Sequence, residues 1–115
     1  MEEFIDTAKK FGYDGVEIDL KRPHGSPLDL DEKRCAEIRA YAEKQGLEIC
    51  GCAANNNFAS IVPEHIENEL LMVREQIRVT KQLGAKVLRC PAQDGRVDIP
   101  ALLRRLAELM QALPQ

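Results

Sequence analysis

Apolar residues recur at helical spacing in four stretches of the chain, and three short β-type runs lie between these stretches. The four apolar stripes are Phe4, Ile5, Ala8 and Phe11; Cys35, Ile38, Tyr41 and Ala42; Ile66, Leu70, Val73 and Ile77; and Leu102, Leu103, Leu106, Leu109 and Leu113. Strands are predicted near residues 15–20, 47–53 and 86–90. The order α-β-α-β-α-β-α requires parallel strands joined by right-handed crossovers. The sequence therefore predicts one α/β domain over residues 1–115, with three parallel strands alternating with four helices.

The ends of these helices carry recognisable signals. The first three stop at Gly12, Gly46 and Gly84, since glycine tolerates the left-handed conformation that closes a helix. The second helix is predicted to begin near Asp29 as its N-cap, with Glu32 three residues further on. The third should open at Pro63, and the fourth should follow Asp98, with Pro100 in its first turn, and run over residues 98–113.

Long loops follow the predicted strands, whereas the turns that precede them are short. The long loops, roughly 21–29, 53–62 and 91–98, hold nearly all the Pro, His and Asn residues. In parallel α/β folds the carboxyl ends of the strands carry the functional residues. We therefore expect the functional side of the molecule at the ends of these strands.

The first strand alternates apolar and acidic residues, which favours a barrel over an open sheet. Val16 and Ile18 would face the helices, while Glu17, and with it Asp19, would face a barrel interior, where Arg89 could compensate Glu17. An open flavodoxin-like sheet is the alternative, and 115 residues suit it better. Such a sheet usually begins with a strand and is apolar on both faces. The charge pattern predicts a partial (β/α)8 barrel.

Composition excludes several classes of function. The net charge of −3, without a basic cluster, gives no reason to expect nucleic-acid binding, and no apolar run is long enough for a membrane span. The N-terminal MEEFIDTAKK is unlike a signal peptide. Four cysteines without an export signal are typical of reduced thiols, so a cytoplasmic location is expected.

Three of these cysteines could also be imagined as a thiolate metal site. Cys50 and Cys52 would share one face of a strand, and Cys90 would lie on a neighbouring strand. A CxC pair is a weak metal signal, and cytosolic cysteines are more often small buried apolar residues. The sequence leaves metal binding by these three residues open.

Three stretches resemble the sugar phosphate isomerase/epimerase group of the xylose isomerase-like TIM barrels. They are GYDGVEIDLKRPHGSPLDLD, GLEICGCAANNNF and ELLMVREQIRVTKQLGAKVLR. The shared features are the G-[YF]-D-G-V-E strand, the Asn-rich loop after the next strand, and the LGA-x-V-[LV]-R ending. They cover about residues 11–89, and the resemblance implies the second to fourth units of a barrel, followed by a divergent helix.

The resemblance implies an enzyme that uses a divalent metal to move a proton or a hydride beside a carbonyl of a sugar. The family's metal-binding Glu, Asp and His residues come mostly from the second half of the barrel, so no metal ligand and no cofactor is assigned to this chain. The positions carried over as substrate-side or scaffold residues are Glu17, His24, Asn55, Asn56 and Arg89.

Each candidate also has a structural interpretation. Glu17 and Arg89 could form an ion pair that only supports the barrel, and the asparagines could only shape a turn. His24 could be an exposed loop residue, or it could contact a phosphate or hydroxyl group alongside Lys21 and Arg22.

Two functional hypotheses follow. In the first, the chain is a member or fragment of the sugar isomerase/epimerase family that is inactive alone, with a sugar or sugar phosphate as its ligand. In the second, it is a non-catalytic half-barrel, or a flavodoxin-like small-molecule-binding module. Three parallel strands leave two open edges, so a homo-oligomer that covers them is expected.

Overall fold

A computed structural model describes residues 1–60, 62–91 and 97–111 of the chain. Its elements are α1 (Glu2–Lys10), β1 (Gly15–Asp19), α2 (Glu32–Lys44), β2 (Glu48–Ala53), α3 (Pro63–Gln82), β3 (Leu88–Arg89) and α4 (Ile99–Gln111). The alternation of four helices with three strands confirms the predicted α/β class. Residues 112 and 113, the predicted end of the fourth helix, lie outside the described residues.

The three strands form one parallel sheet in the order β1-β2-β3. Consecutive strands are thus neighbours, as in a barrel, whereas a flavodoxin-like sheet would place the first strand between the second and third. Residues 88 and 89 alone form β3, because only Cys52 and Ala53 of β2 pair with it. This strand is shorter than the predicted 86–90.

The core lies between the sheet and the helices. Val16 and Ile18 of β1 are buried there, together with Ile5 of α1, Ile38 of α2 and Val79 of α3. Burial of each such side chain stabilises the fold by about 1.5–3 kcal/mol. The opposite face of the sheet has no helix over it in the described part of the chain, and there Glu17 and Arg89 are exposed.

Glycines close the first three helices as predicted. Gly12, Gly46 and Gly84 have φ values of 80°, 76° and 82°, in the left-handed region where a side chain would be strained. These turns are short, so each strand begins a few residues after the helix before it.

The predicted start of the second helix is wrong by two residues. The N-cap of α2 is Asp31, whose side chain accepts a hydrogen bond from the Arg34 backbone N–H at 2.7 Å. Asp29 instead accepts two hydrogen bonds from the Arg22 guanidinium, at 2.8 and 2.9 Å. Both aspartates suit a cap by residue type, but only the Asp31 side chain binds a backbone N–H of the first turn of α2. The starts of α3 at Pro63 and of α4 after Asp98 agree with prediction.

Both outer helices leave apolar side chains uncovered. In α1 the predicted stripe is divided, because Ile5 and Ala8 are buried whereas Phe4 is 37% exposed and the following Phe11 is 69% exposed. In α4 no residue is fully buried, and Leu103 is 60% exposed. None of the helices in the described residues is long and apolar enough to cross a bilayer.

Candidate functional site

An ion pair joins the two outer strands across the uncovered face of the sheet. Arg89 Nη2 of β3 donates to Glu17 Oε1 of β1 at 2.8 Å, over the intervening strand β2. Gly51 of β2 is the register partner of Glu17. A Cβ built on Gly51 would lie 4.0 Å from Glu17 Oε2 and 3.3 Å from the Val87 carbonyl oxygen. A side chain at Gly51 would therefore be tight against the Val87 carbonyl oxygen and in ordinary van der Waals contact with the Glu17 carboxylate.

A second polar pair lies at the carboxyl ends of the same strands. Asn55 Nδ2 donates to Asp19 Oδ1 at 2.7 Å, and Lys21 Nζ lies 3.7 Å from Asp19 Oδ2. Asp19 ends β1, and Asn55 follows β2 by two residues. The ends of adjacent parallel strands meet at one edge of the sheet, which brings these side chains together.

Glu17, Asp19, Asn55 and Arg89 form what we call the inner-face cluster. The hydrogen bond from Arg89 to Glu17 raises the pKa of the guanidinium above its ordinary value, and the negative charge of Asp19 adds to the increase. Arg89 therefore stays protonated wherever the protein is folded. The cluster offers carboxylate acceptors, an amide and a fixed cation within one exposed surface, and these are the groups that bind hydroxyl and carbonyl oxygens.

The basic loop after β1 contacts several different partners. The His24 ring packs edge-on against the Phe4 ring of α1, with centroids 5.0 Å apart. Arg22 pairs with Asp29, and this bond raises the pKa of Arg22. Lys21 reaches Asp19 of the inner-face cluster. The three basic residues that the sequence grouped as one phosphate-contacting set thus have separate partners, and Lys21 contacts the cluster.

Asn56 differs from its neighbour Asn55. Its side chain is 3% exposed, and Nδ2 donates to Glu69 Oε2 of α3 at 3.0 Å. This bond ties the loop after β2 to the helix that follows it. The structure therefore assigns Asn56 a contact within the scaffold, while Asn55 joins the cluster.

The predicted placement of Cys50 and Cys52 on one strand face is wrong. The pairing register shifts between Val16, which faces Ile49, and Glu17, which faces Gly51, so Cys50 is an extra residue in a bulge. Cys50 is exposed and its thiol lies 3.2 Å from the Val16 carbonyl oxygen, whereas Cys52 is fully buried. Burial raises the pKa of the Cys52 thiol, which favours its neutral form.

The described residues do not fit the divalent metal that the family resemblance implied. Within residues 1–60, 62–91 and 97–111, no three His, Cys, Asp or Glu side chains are grouped so that they could hold an ion. No metal-dependent step is therefore assigned to these residues.

Sequence reasoning missed several residues that shape the site. Gly51 lies beside the cluster, and Glu69 anchors Asn56. Arg78 of α3 donates to the carbonyl oxygens of Pro27 and Leu30, at 3.3 and 3.1 Å, and so holds the loop after β1 against α3. A glycine inside a strand pattern is a signal of close approach that could have identified Gly51; the other contacts join residues distant in sequence.

The chain belongs to the xylose isomerase-like TIM barrel family, whose model matches residues 5–114. This match extends beyond residues 11–89 and takes in α4. Family membership accounts for the parallel sheet with one polar face and for the position of the inner-face cluster at the strand ends.

Two curated relatives have the same name. The chain is 30% identical over 120 residues to a fructoselysine 3-epimerase of Shigella flexneri, and 29% identical over 120 residues to that of Escherichia coli O157:H7. Each match covers 98% of this chain and 44% of the relative. The chain thus spans less than half the length of these relatives.

Two solved structures agree with the fold. A xylose isomerase domain containing protein from Salmonella typhimurium LT2 matches with a TM-score of 0.60 and 28% identity, over 96% of this chain and 40% of that one. A xylose isomerase-like TIM barrel/4-hydroxyphenylpyruvate dioxygenase fusion protein matches with a TM-score of 0.65 and 18% identity, over 96% of this chain and 18% of the fusion. The second likeness concerns the fold alone.

Proposed function

We propose that the inner-face cluster is a substrate-contacting wall of a sugar isomerase or epimerase site. The observation that carries this proposal is the Glu17–Arg89 ion pair, which lies on the face of the parallel sheet opposite the packed helices in a xylose isomerase-like chain. In a closed barrel that face becomes the interior, where water is excluded and each polar contact counts for more. Glu17 and Asp19 would accept from sugar hydroxyls, and Arg89 and Asn55 would donate to hydroxyl or carbonyl oxygens.

The substrate class that we propose is a carbonyl sugar, and fructoselysine is the first to test because both curated relatives are named for it. A sugar phosphate is the second choice, with Lys21, whose Nζ lies 3.7 Å from Asp19 Oδ2, as a further cation beside the cluster. The chain by itself is proposed to be inactive, because its inner face is open to solvent and the relatives are more than twice as long.

A non-catalytic role for the same half-barrel is the second candidate. The exposed apolar residues at both sides of the sheet, among them Phe11 and Leu103, favour an assembly function that needs no sugar. The two candidates differ in whether the closed barrel turns over a sugar.

The experiment uses a chimera in which this chain replaces the matched 44% of the Shigella flexneri epimerase. We expect turnover of fructoselysine by the chimera, and a loss of 10-fold or more in kcat/KM on Glu17→Gln. Glu48→Gln is the matched control, since Glu48 is exposed at the other end of the sheet, where β2 begins. A folded chimera without turnover, or a Glu17→Gln variant that equals the control, would contradict the proposal.

A further inference from the structure

Asn55 differs from the other members of the inner-face cluster because it lies in a loop. Glu17 and Asp19 belong to β1 and Arg89 belongs to β3, so the sheet holds their backbones in place. Asn55 follows the end of β2 by two residues. Loops are held less firmly than the strands they join unless further contacts fix them. The position of Asn55 therefore depends on the contacts that its neighbours make.

Contacts hold the chain on both sides of Asn55. Before it, the Ala54 backbone N–H donates to the Arg89 carbonyl oxygen at 2.8 Å. After it, the side chain of Asn56 is 3% exposed, and its Nδ2 donates to Glu69 Oε2 of α3 at 3.0 Å. Because both neighbours are fixed, few backbone conformations are open to Asn55.

The acceptor of the Asn56 bond belongs to a firmly packed part of α3. Leu70 and Val73 follow Glu69 on this helix, and each is 3% exposed. Burial of such apolar side chains holds a helix against the sheet that it covers. The bond to Glu69 therefore fixes the loop after β2 relative to α3.

The bond between Asn56 and Glu69 is one that the loop cannot lose without changing its position. If the Glu69 carboxylate is removed, the buried Asn56 Nδ2 group loses this acceptor. A buried polar group that loses its hydrogen bond destabilises the conformation in which it is buried. The loop after β2 should then move so that the Asn56 amide reaches water.

Asn55 and Asn56 bind partners on different sides of the sheet. The partner of Asn56 belongs to α3, on the side of the packed helices, whereas Asn55 Nδ2 donates to Asp19 Oδ1 of the inner-face cluster at 2.7 Å. Lys21 Nζ lies 3.7 Å from the other oxygen of the same carboxylate, Asp19 Oδ2. A movement of the loop would therefore displace the Asn55 amide and change the hydrogen bonding of Asp19.

We propose that Glu69 is a positioning residue of the sugar site, which acts through Asn56 to hold the Asn55 amide where it donates to a sugar oxygen. This inference deepens the proposed function, and it rests on that proposal for its ligand, a carbonyl sugar. In this arrangement Glu69 does not touch the sugar. Its removal weakens sugar binding although every group that contacts the sugar is still present.

The position of Asn55 can be measured without a sugar. In a ¹H–¹⁵N spectrum of this chain, the side-chain amide signals of Asn55 report its hydrogen bond to Asp19. We expect Glu69→Ala to move these signals toward those of an asparagine in water. Glu69→Gln keeps an oxygen acceptor for Asn56 and should leave the signals close to those of the wild type. Unmoved Asn55 signals in Glu69→Ala would overturn the inference.

Glu67→Ala is the matched control. Glu67 is a second carboxylate of α3 that binds another element, since Arg105 Nε of α4 donates to Glu67 Oε1 at 2.9 Å. Its removal takes away a contact of the same kind and leaves the bond between Glu69 and Asn56 intact. The Asn55 signals should therefore not move in Glu67→Ala. Equal movement in the two alanine variants would indicate a general loosening of α3 and would overturn the inference.

The kinetics of the chimera described above measure the consequence for the sugar. We expect Glu69→Ala to raise KM for fructoselysine about 3-fold to 10-fold and to change kcat less than about 2-fold, because the Asn55 amide contacts the substrate and the transition state alike. Glu69→Gln should restore the KM of the unsubstituted chimera, and Glu67→Ala should not change it. A wild-type KM in an active Glu69→Ala chimera would overturn the inference.

A double variant tests whether Glu69 acts through Asn56. Asn56→Ala should raise KM by the same factor as Glu69→Ala, and the two substitutions together should have no larger effect than either alone. Effects on KM that multiply in the double variant would show that the two residues act independently, and would overturn the inference.

Failure of this inference and failure of the proposed function give different results. If the Asn55 signals move in Glu69→Ala but the chimera does not turn over fructoselysine, the proposed function is contradicted and the positioning role of Glu69 is supported. If the chimera is active and the signals do not move, only the positioning role is contradicted.

Discussion

Arg89 and Glu17 form a 2.8 Å ion pair although they belong to strands that do not pair with each other. The strand between them contributes Gly51 at the register position of Glu17, where a Cβ would lie 4.0 Å from Glu17 Oε2. The pair is half exposed, so it adds little to stability in this chain. Its significance lies in fixing the positions of two charged groups on the inner face of the sheet.

Gly51→Val should therefore disturb both the strand and the ion pair. A Cβ at this position already lies 3.3 Å from the Val87 carbonyl oxygen, and two further methyl groups would extend the overlap. We expect a loss of about 1–3 kcal/mol in the free energy of unfolding, measured by urea titration. Gly51→Ala is the control and should cost less than Gly51→Val, because the added methyl is offset by a stiffer unfolded chain. Equal stability of Gly51→Val and the wild type would refute this account of the position.

Asp31→Ala should destabilise the protein by about 1 kcal/mol, because the Asp31 side chain caps α2 through the Arg34 N–H. Asp29→Ala removes a carboxylate of the same kind two residues earlier, where its partner is the exposed Arg22 side chain. Thermal unfolding of the two variants should show the larger decrease for Asp31→Ala. A larger decrease for Asp29→Ala would indicate that Asp29, and not Asp31, caps α2.

Lowering the pH should weaken the Arg22–Asp29 contact, because the carboxylate of Asp29 becomes protonated. The hydrogen bond from Arg22 lowers the pKa of Asp29 below its ordinary value of 3.8. A carboxyl whose pKa is lower in the folded state contributes stability above its unfolded-state pKa and loses that contribution as the pH falls through the folded-state value. The free energy of unfolding of Asp29→Asn should therefore fall less steeply below pH 4 than that of the wild type. This prediction would be wrong if the free energies of unfolding of the two proteins fell equally steeply below pH 4.

The cysteines should separate into two classes of reactivity. Cys35 and Cys52 are fully buried, and burial raises the pKa of both thiols. Cys50 is exposed in the bulge of β2. Brief maleimide treatment followed by peptide mass spectrometry should label Cys50 in the native protein and label Cys35 and Cys52 only after denaturation. Equal labelling of Cys50 and Cys52 in the native state would show that the bulge is wrongly placed.

Several parts of the architecture follow from local sequence signals. The helix-closing glycines, the Pro63 start of α3 and the apolar alternation of Val16 and Ile18 each depend on a few neighbouring residues. The structure confirms these predictions because local conformational propensity and the burial of apolar side chains favour the same structure at each of these positions. The Glu17–Arg89 contact was also predictable, since both charges face the same side of a three-stranded sheet and have opposite signs.

Other features depend on contacts that a single sequence does not reveal. The bulge at Cys50 changes the face of every following residue in β2, and a strict alternation pattern cannot place it. The Asp31 cap was obscured by Asp29, whose true partner lies seven residues earlier. To predict the Asn56–Glu69 bond, one must know how a loop and a helix are positioned relative to each other. The same holds for the bonds from Arg78 to Pro27 and Leu30.

If the inner-face cluster binds a carbonyl sugar, the closed barrel should lose affinity for that sugar when Arg89 is removed. We would measure the dissociation constant of fructoselysine by calorimetry for the chimera, its Arg89→Ala variant and its Arg104→Ala variant. Arg104 is an exposed arginine of α4 and serves as the control. We expect a 10-fold or greater loss of affinity for Arg89→Ala and no change for Arg104→Ala, because a charge-assisted hydrogen bond to the sugar is removed only in the first. Unchanged affinity in a folded Arg89→Ala chimera would show that the inner-face cluster does not bind the sugar.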